Sequence, residues 1–238
     1  MRTFCFTVDT EWSPPEAMAD LQALFDAAGV PVTFFCTDDV PAITGKRHEI
    51  ALHPNIHSLD EASAKIEALK RHYPSARGIR THTLFMSSRL NAVFHAQGLS
   101  YQSNAYTGEP MQSAVDFGEG VKSLPIFYMD HVNLTNPSIN PAFTLDAFDL
   151  TRDGAYIFDF HPVISYVNCH SLAQYSEAKL CYHDAVELRS LRRPGQRGTR
   201  DLLVDLLAYV RDEKIPTLTC FDLLSRHAKD SSHEAASR

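Results

Sequence analysis

The stretch RHEIALHPNIHS, residues 47–58, decides the reading of this chain: an apolar run of strand character ends in His53, Pro54 follows at once, and a second imidazole stands at His57. Proline inside a strand forfeits a ladder hydrogen bond, but it is accepted as the first residue of a helix. The stretch therefore reads as a strand that gives way to a helical turn, with His53 and His57 spaced for one turn. Two neutral imidazoles joined by one carboxylate would hold a transition metal and leave positions open for water and substrate. The spacing alone is a weak signal in a chain with 12 histidines.

Working outward, strand-like and helical runs alternate. TFCFTVD (residues 3–9) precedes Pro14-Pro15 and a helix that Gly29 closes, and VPVTFFC (30–36) is the next strand. Ser58 and Glu61 have the spacing of a capping box ahead of the helix EASAKIEALKRHY, residues 61–73. ARGIRTH (76–82) and LSYQSN (99–104) read as short strands around the helix SSRLNAVFHAQ (87–97), which ends at Gly98. YIFDFH (156–161), a helix from Thr199 to Lys214 capped by Thr199, and the strand PTLTCF (216–221) follow. Residues 107–149 read as a long irregular segment, and the polar tail from Lys229 is expected to be disordered. Strands separated by helical crossovers predict a parallel sheet in an α/β domain.

Composition narrows the function. The 238 residues are expected to form one domain, and a net charge of −7 argues against a nucleic-acid binder that works by neutralising phosphates. The basic run RSLRRPGQRGTR (189–200) reads as a solvated loop, or as a seat for a sugar phosphate. No apolar stretch approaches the ~18 residues of a membrane span, and the start MRTFCFTVDTEW runs into a strand without the pattern of a secretory signal. Five widely spaced cysteines fit reduced thiols. Together these give the expectation of a cytoplasmic protein.

In a parallel α/β sheet the chemistry gathers at the carboxyl ends of strands. Here those ends carry Asp9 and Glu11, His53 and His57, Arg80 and His82, and His161. Asp9 and Glu11 point the same way on an extended chain, so a metal or an arginine is needed between them.

At these residues the chain resembles the polysaccharide deacetylase (NodB-homology) family, from about Thr3 to Leu224. FTVDTEW stands at the family's first motif, VPVTFFCT at its Ala-Thr-Phe-Phe strand, and HEIALHPNIH at its His-Glu-Ile-Gly-x-His-x-x-x-His metal motif. RGIRTHTLF stands at its Arg-x-Pro motif and FDFHPV at its Leu-x-His motif. The resemblance implies a distorted or incomplete (β/α)7 barrel, with residues 1–228 forming a single catalytic domain. It also implies one divalent transition metal, held by Glu11, His53 and His57; zinc is favoured, and cobalt, nickel or iron would also fit. Asp9 would be the general base, Arg80 its charge partner, and His161 the acid that protonates the leaving group.

Two departures stand out. The family's adjacent second aspartate is Thr10, so the carboxylate ligand falls to Glu11, or else to Asp9 in place of its usual role. The Asp-Trp motif that orients the catalytic histidine is replaced by YQSNAY (101–106), so the partner of His161 is unassigned. A backbone N–H near Thr83 is a candidate oxyanion donor. Trp12 is a sugar-stacking platform or rim packing, and His82 lies behind the ligands or is a plain polar residue. Asp130 and His131 either touch substrate or form a surface turn. The expected reaction is hydrolysis of an acyl amide or ester on a sugar, such as a nucleotide- or lipid-linked precursor of a surface polysaccharide. An amidase on a non-sugar amide and a catalytically silent sugar-binding homologue are the alternatives.

Overall fold

The computed structural model describes residues 1–37, 43–116 and 119–236, with residues 229–236 described by their backbone. Its strands are β1 (Arg2–Asp9), β2 (Val32–Cys36), β3 (Glu49–Leu52), β4 (Gly78–Ile79), β5 (Tyr101–Gln102), β6 (Val115–Asp116), β7 (Lys122–Ser123), β8 (Tyr128–Met129) and β9 (Gly154–Phe160). They form one sheet in the order β6-β7-β5-β4-β3-β2-β1-β9-β8, parallel throughout except for the β6–β7 pair. The sheet curls without closing, giving a distorted, incomplete (β/α) barrel. The helices are α1 (Pro15–Ala28), α2 (Leu59–His72), α3 (Leu90–Ala96), α4 (Asp130–Thr135), α5 (Pro162–Val167), α6 (Leu172–Leu180), α7 (Ala185–Ser190), α8 (Thr199–Asp212) and α9 (Cys220–Ala236). None among the described residues is long and apolar enough to cross a membrane.

The two faces of the sheet follow from the period of two along each strand. Phe4, Phe6 and Val8 of β1 join Tyr156, Phe158 and Phe160 of β9 in the layer packed under α1, α5 and α8. Cys5 and Ile157 point the other way, into the barrel, where Phe35, Ala51 and Tyr101 meet them and Cys220 and Leu223 of α9 plug the bottom. This inner face turns polar toward the carboxyl ends: Thr7 pairs with Asp159 in the β1–β9 register. Asp9, His53 and His161 are all buried where their strands end. Strand parity thus sends all five to one place.

The structure alters three sequence expectations. Helix α8 is capped by Gly198, whose N–H donates to Asp201 Oδ2 (3.1 Å); Thr199 is already helical, and its hydroxyl donates to Cys169 O (3.1 Å). PTLTCF makes only a bridge between Thr217 and Phe4 before α9 begins at Cys220, because the sheet next to β1 is already occupied by β2 and β9. The segment read as irregular holds β6, β7, β8 and α4. Helix α9 carries the backbone to Ala236, through the start of the polar tail.

Strand β4 is only two residues long, and Gly78 lets it lie against the Tyr101 ring: a Cβ there would stand 1.9 Å from Tyr101 Cζ. The Tyr101 hydroxyl donates to half-buried Glu49 (2.7 Å), so the ring is tethered and cannot give way. Gly78→Ala is therefore expected to cost at least about 1–3 kcal/mol of stability, as for overpacking in a filled core. Urea denaturation of the variant checks this; an unchanged midpoint would show that the ring is free to move.

Candidate active site and metal centre

Arg80 follows β4 directly and is fully buried. Its Nη1 donates to Asp9 Oδ1 (2.8 Å), to Thr7 Oγ1 (3.0 Å) and to Asp159 Oδ1. Nε and Nη2 donate to Ser103 O (2.9 Å) and Ser103 Oγ (2.8 Å), and the guanidinium lies 4.1 Å over the Phe35 ring. The pairing of Arg80 with Asp9 is the one the resemblance implied. Asp159 is its unforeseen third member, and Thr7 also donates to it (2.7 Å). Burial drives the Asp159 carboxyl up to about 7 despite the Arg80 charge, with the nearby Asp9 carboxylate adding to the rise.

Glu11 reaches the same cavity by a tight turn rather than by an extended chain. Glu11 and Trp12 adopt left-handed φ of 34° and 51°, and the Ser13 N–H and hydroxyl both donate to Thr10 O (3.1 and 2.6 Å). Glu11 Oε1 then lies 3.0 Å from His82 Nδ1, 3.4 Å from His161 Nε2 and 3.7 Å from His53 Nε2. Burial opposes ionisation of Glu11, but the His161 charge and hydrogen bonding from His161 and His82 hold its carboxyl well below the usual range.

His161 gains the partner that the sequence left unassigned. Asp130, the residue after β8, accepts from His161 Nδ1 (2.6 Å) and from the His161 backbone N–H (2.8 Å). Asp130 is fully buried, so it holds the histidine instead of touching substrate. Burial pulls the imidazolium down, yet Asp130 and Glu11 on either side push its pKa well above the ordinary value. His131 is half-buried beside this pair, with its ring 6.1 Å from that of His161 and 5.7 Å from that of Tyr175.

His57 is the residue that the structure does not bring in. No helical turn follows Pro54: Ile56 N–H donates to Pro54 O (3.1 Å), Ile56 packs in the core, and His57 is thrown out to the surface. Its backbone N–H donates to Glu61 at the start of α2, and Ser58 N–H does so as well (3.2 Å). His82 takes its place in the cluster, aimed by its N–H bond to Pro54 O (3.0 Å). Among the described residues, the side chains that converge closely enough to hold an ion are Glu11, His53 and His82, or Asp9, Glu11 and His161. Both ring nitrogens of His53 are buried with no hydrogen-bond partner among the described residues, which is costly unless something else binds them. An ionised carboxylate beside an orphaned imidazole fits a transition metal.

The remaining candidates lie at the rim. Trp12 stands edge-on to His82 (5.2 Å) and lines a cleft of about 290 Å³ with His53, Thr37 and Lys65. Thr83 is exposed, with a left-handed φ of 59°. Asp159 was legible in principle, since it precedes His161 by two on a strand and must share its face.

Residues 6–179 match the WbmS-like polysaccharide deacetylase family. The chain belongs to this family. No curated protein matches it. Among solved structures it is similar to a Bordetella bronchiseptica protein described as a polysaccharide deacetylase involved in O-antigen biosynthesis, with 23% identity, coverage of 87% of this chain and 89% of that one, and a TM-score of 0.76. A Mycobacterium smegmatis protein described as a polysaccharide deacetylase matches with 19% identity, coverage of 92% and 93%, and a TM-score of 0.45. A 4-alpha-glucanotransferase from Thermococcus litoralis matches with 12% identity, coverage of 95% and 38%, and a TM-score of 0.54. The likeness to the Bordetella protein extends the family's barrel over most of this chain.

The raised Asp159 carboxyl has a consequence for stability. A group whose pKa rises on folding contributes fully below its unfolded value, 3.8, and loses that contribution as pH climbs through its folded value, about 7. Stability is expected to fall by a few kcal/mol between roughly pH 4 and pH 7 on this account. Asp159→Asn should flatten that slope; denaturation curves across the range check it, and an unchanged slope assigns it to another group.

Proposed function

We propose that this protein is a metal-dependent deacylase that hydrolyses an acyl amide or ester on a sugar. The observation that carries the reading is the convergence, at successive strand ends, of an arginine-held aspartate, a carboxylate-held histidine and a buried imidazole with no hydrogen-bond partner among the described residues. The family membership supports the reaction class. The description of the Bordetella protein supports a surface-polysaccharide precursor, nucleotide- or lipid-linked, met in the cytoplasm.

Glu11, His53 and His82 would hold the ion, with His82 replacing His57 in the set implied by the sequence motif. When bound, a divalent cation supplies Lewis acidity, preparing a water as nucleophile and polarising the acyl carbonyl. Zinc suits two imidazoles and a carboxylate, and cobalt, nickel or iron would also fit. The rival set, Asp9, Glu11 and His161, would consume both the base and the acid.

The chain's own residues divide the proton transfers. Asp9 accepts the proton of the attacking water; Arg80 holds its Oδ1, while Oδ2 has no protein hydrogen bond among the described residues. His161 presents Nε2 to the cavity because Nδ1 is committed to Asp130. It gives its proton to the departing nitrogen or oxygen as the acyl bond breaks, leaving a carboxylate product and a free amine or hydroxyl. Trp12, beside the cleft, would stack against the sugar. A silent binding protein would need neither the acid nor the base, and the paired carboxylates that hold them argue against that reading.

Metal analysis of purified protein tests the ligand set. His53→Ala and His82→Ala should each lose the ion, and His57→Ala should keep it; loss with His57→Ala and retention with His82→Ala would restore the ligands implied by the motif. Glu11→Ala should also lose it, whereas Asp9→Asn should retain metal and abolish turnover.

His161→Ala should slow hydrolysis of an acylamino sugar by roughly 10²–10⁴, the usual size of general acid–base assistance. An activated ester, whose leaving group needs no proton, should suffer far less. Asp130→Asn should act in the same direction. Equal losses on both substrates would make His161 structural, and no hydrolysis of any acylated sugar by the metal-loaded wild type would sink the enzymatic reading.

A further inference from the structure

The basic run RSLRRPGQRGTR (189–200), read from the sequence as a solvated loop or a seat for a sugar phosphate, takes no part in the chemistry above. It ends α7, forms the loop after it and opens α8. Against that loop lies an open cavity of about 440 Å³, lined by Arg192, Arg193, Gln196 and Arg197 together with Asn168 and Asp201. Its volume falls within the ~300–1,000 Å³ usual for small-molecule sites. No residue of the catalytic cluster lines it.

Five arginines fall within the run, and three have a carboxylate partner: Arg193 pairs with Glu177 (2.9 Å), Arg197 with Asp205, and Arg200 with Asp20. Arg189 and Arg192 have none among the described residues and lie instead against the Tyr166 ring, at 5.3 and 5.1 Å. Arg192 Nε donates to Tyr166 O (2.6 Å), while its Nη2 is buried with no hydrogen-bond partner among the described residues. An unanswered guanidinium N–H away from water is costly. Burial and the Arg200 and Arg189 charges, partly offset by Asp20, pull the Arg192 pKa below its ordinary value. Two positive charges thus stand uncompensated in a chain whose net charge is −7. Asp201, the acid on the cavity wall, is already engaged: its Oδ2 accepts from Asn168 Nδ2 (2.8 Å) and the Gly198 N–H (3.1 Å). The first N–H groups of α8 are answered as well, Thr199 by Cys169 O (2.9 Å) and Arg200 by Asn168 Oδ1 (3.0 Å), so an anion here would rest on side chains rather than on a helix end.

We infer that this cavity binds a phosphate monoester, at a site separate from the catalytic cluster. A phosphomonoester carries about −1.5 to −2 charges at pH 7, which matches the excess on Arg189 and Arg192. Its oxygens accept parallel N–H pairs from a planar guanidinium, a geometry that arginine supplies. Arg192 is already held by Tyr166, so little of its freedom is lost on binding. Arg193 and Glu177 are half exposed, at 51% and 49%, and such a pair is weak, so Arg193 is free to exchange its carboxylate for the ligand. The cavity is larger than a phosphate group, and Gln196 and Asn168 offer polar contacts to the organic part of the ester. The inference stands independently of the deacylase reading.

Calorimetry on the full chain at constant ionic strength tests it, with three probes: inorganic phosphate, glycerol 3-phosphate, and phosphatidylcholine vesicles doped with phosphatidic acid, which carry the same monoester on a lipid. Glycerol 3-phosphate should bind the wild type, and Arg192→Gln should weaken it about tenfold or more, as expected for a charged hydrogen bond. Arg193→Gln should weaken it severalfold. Arg211→Gln, which removes an exposed cation paired with Asp212 near the far end of α8, should leave the affinity unchanged. Should Arg192→Gln lose its fold by circular dichroism, the half-exposed Arg193→Gln decides the matter. Vesicle binding with the same sensitivity to both variants supports the site and names a lipid as a source of the group. Vesicle binding without binding of either soluble probe assigns the run to a membrane surface and overturns the cavity site. So does an absence of binding to all three probes, or a loss as large with Arg211→Gln. Binding that Arg192→Gln and Arg193→Gln both retain in full belongs to the metal centre, and it too overturns the site.

Discussion

A guanidinium in the middle of a barrel is expensive unless every one of its N–H groups is answered, and the burial of Arg80 organises the rest of this structure. Its acceptors come from β1 (Thr7 and Asp9), from β9 (Asp159) and from Ser103 just after β5, while Phe35 of β2 supplies a face for its plane. Strand β4, which delivers it, is two residues long and has almost no ladder of its own. The side chain therefore does the tying that the backbone cannot. It also explains why Gly78 stands two residues earlier: the strand must run close against Tyr101 for Arg80 to reach the axis.

Much of the fold was legible because strands and helices here announce themselves by period. The run of apolar residues in β1 and β9, the proline and glycine bounding α1, and the serine–glutamate pair ahead of α2 each have a local cause, and each appears where the sequence puts it. The barrel class and the pairing of Asp9 with Arg80 were readable from the family's motifs. Elements that depend on distant partners were not. PTLTCF has strand composition, yet no free edge is left beside β1, and Cys220 turns inward under α9.

The site divides along the same line. Asp9, His53, Arg80 and His161 sit at strand ends, where parity and motif both point, whereas Glu11 enters by the tight turn after β1. His57 obeys a spacing rule that assumes a helix, and Ile56 breaks the assumption by taking the core position that a helical turn would have denied it. Asp130 was hidden for another reason. Its strand, β8, has only two residues inside a segment without periodicity, so no pattern in the sequence marks the carboxylate as the end of a strand adjoining β9.

Charge gives the arrangement its logic. Arg80 lies between Asp9 and Asp159, and His161 lies between Asp130 and Glu11, so each cation is flanked by two carboxyl groups. Four acids against two bases leave a buried deficit of positive charge that water is poorly placed to offset. The protein has two ways to meet it. One is to favour a proton where burial is deepest, the direction in which the raised Asp159 carboxyl is pushed. The other is to admit a divalent cation beside Glu11, where both His53 nitrogens lack a hydrogen-bond partner among the described residues. The two remedies act at opposite ends of the same chain of charges. Asp159 can therefore share the arginine without drawing Asp9 away from the cavity, and the residue proposed as base stays poised between a fixed cation below and an exchangeable one above.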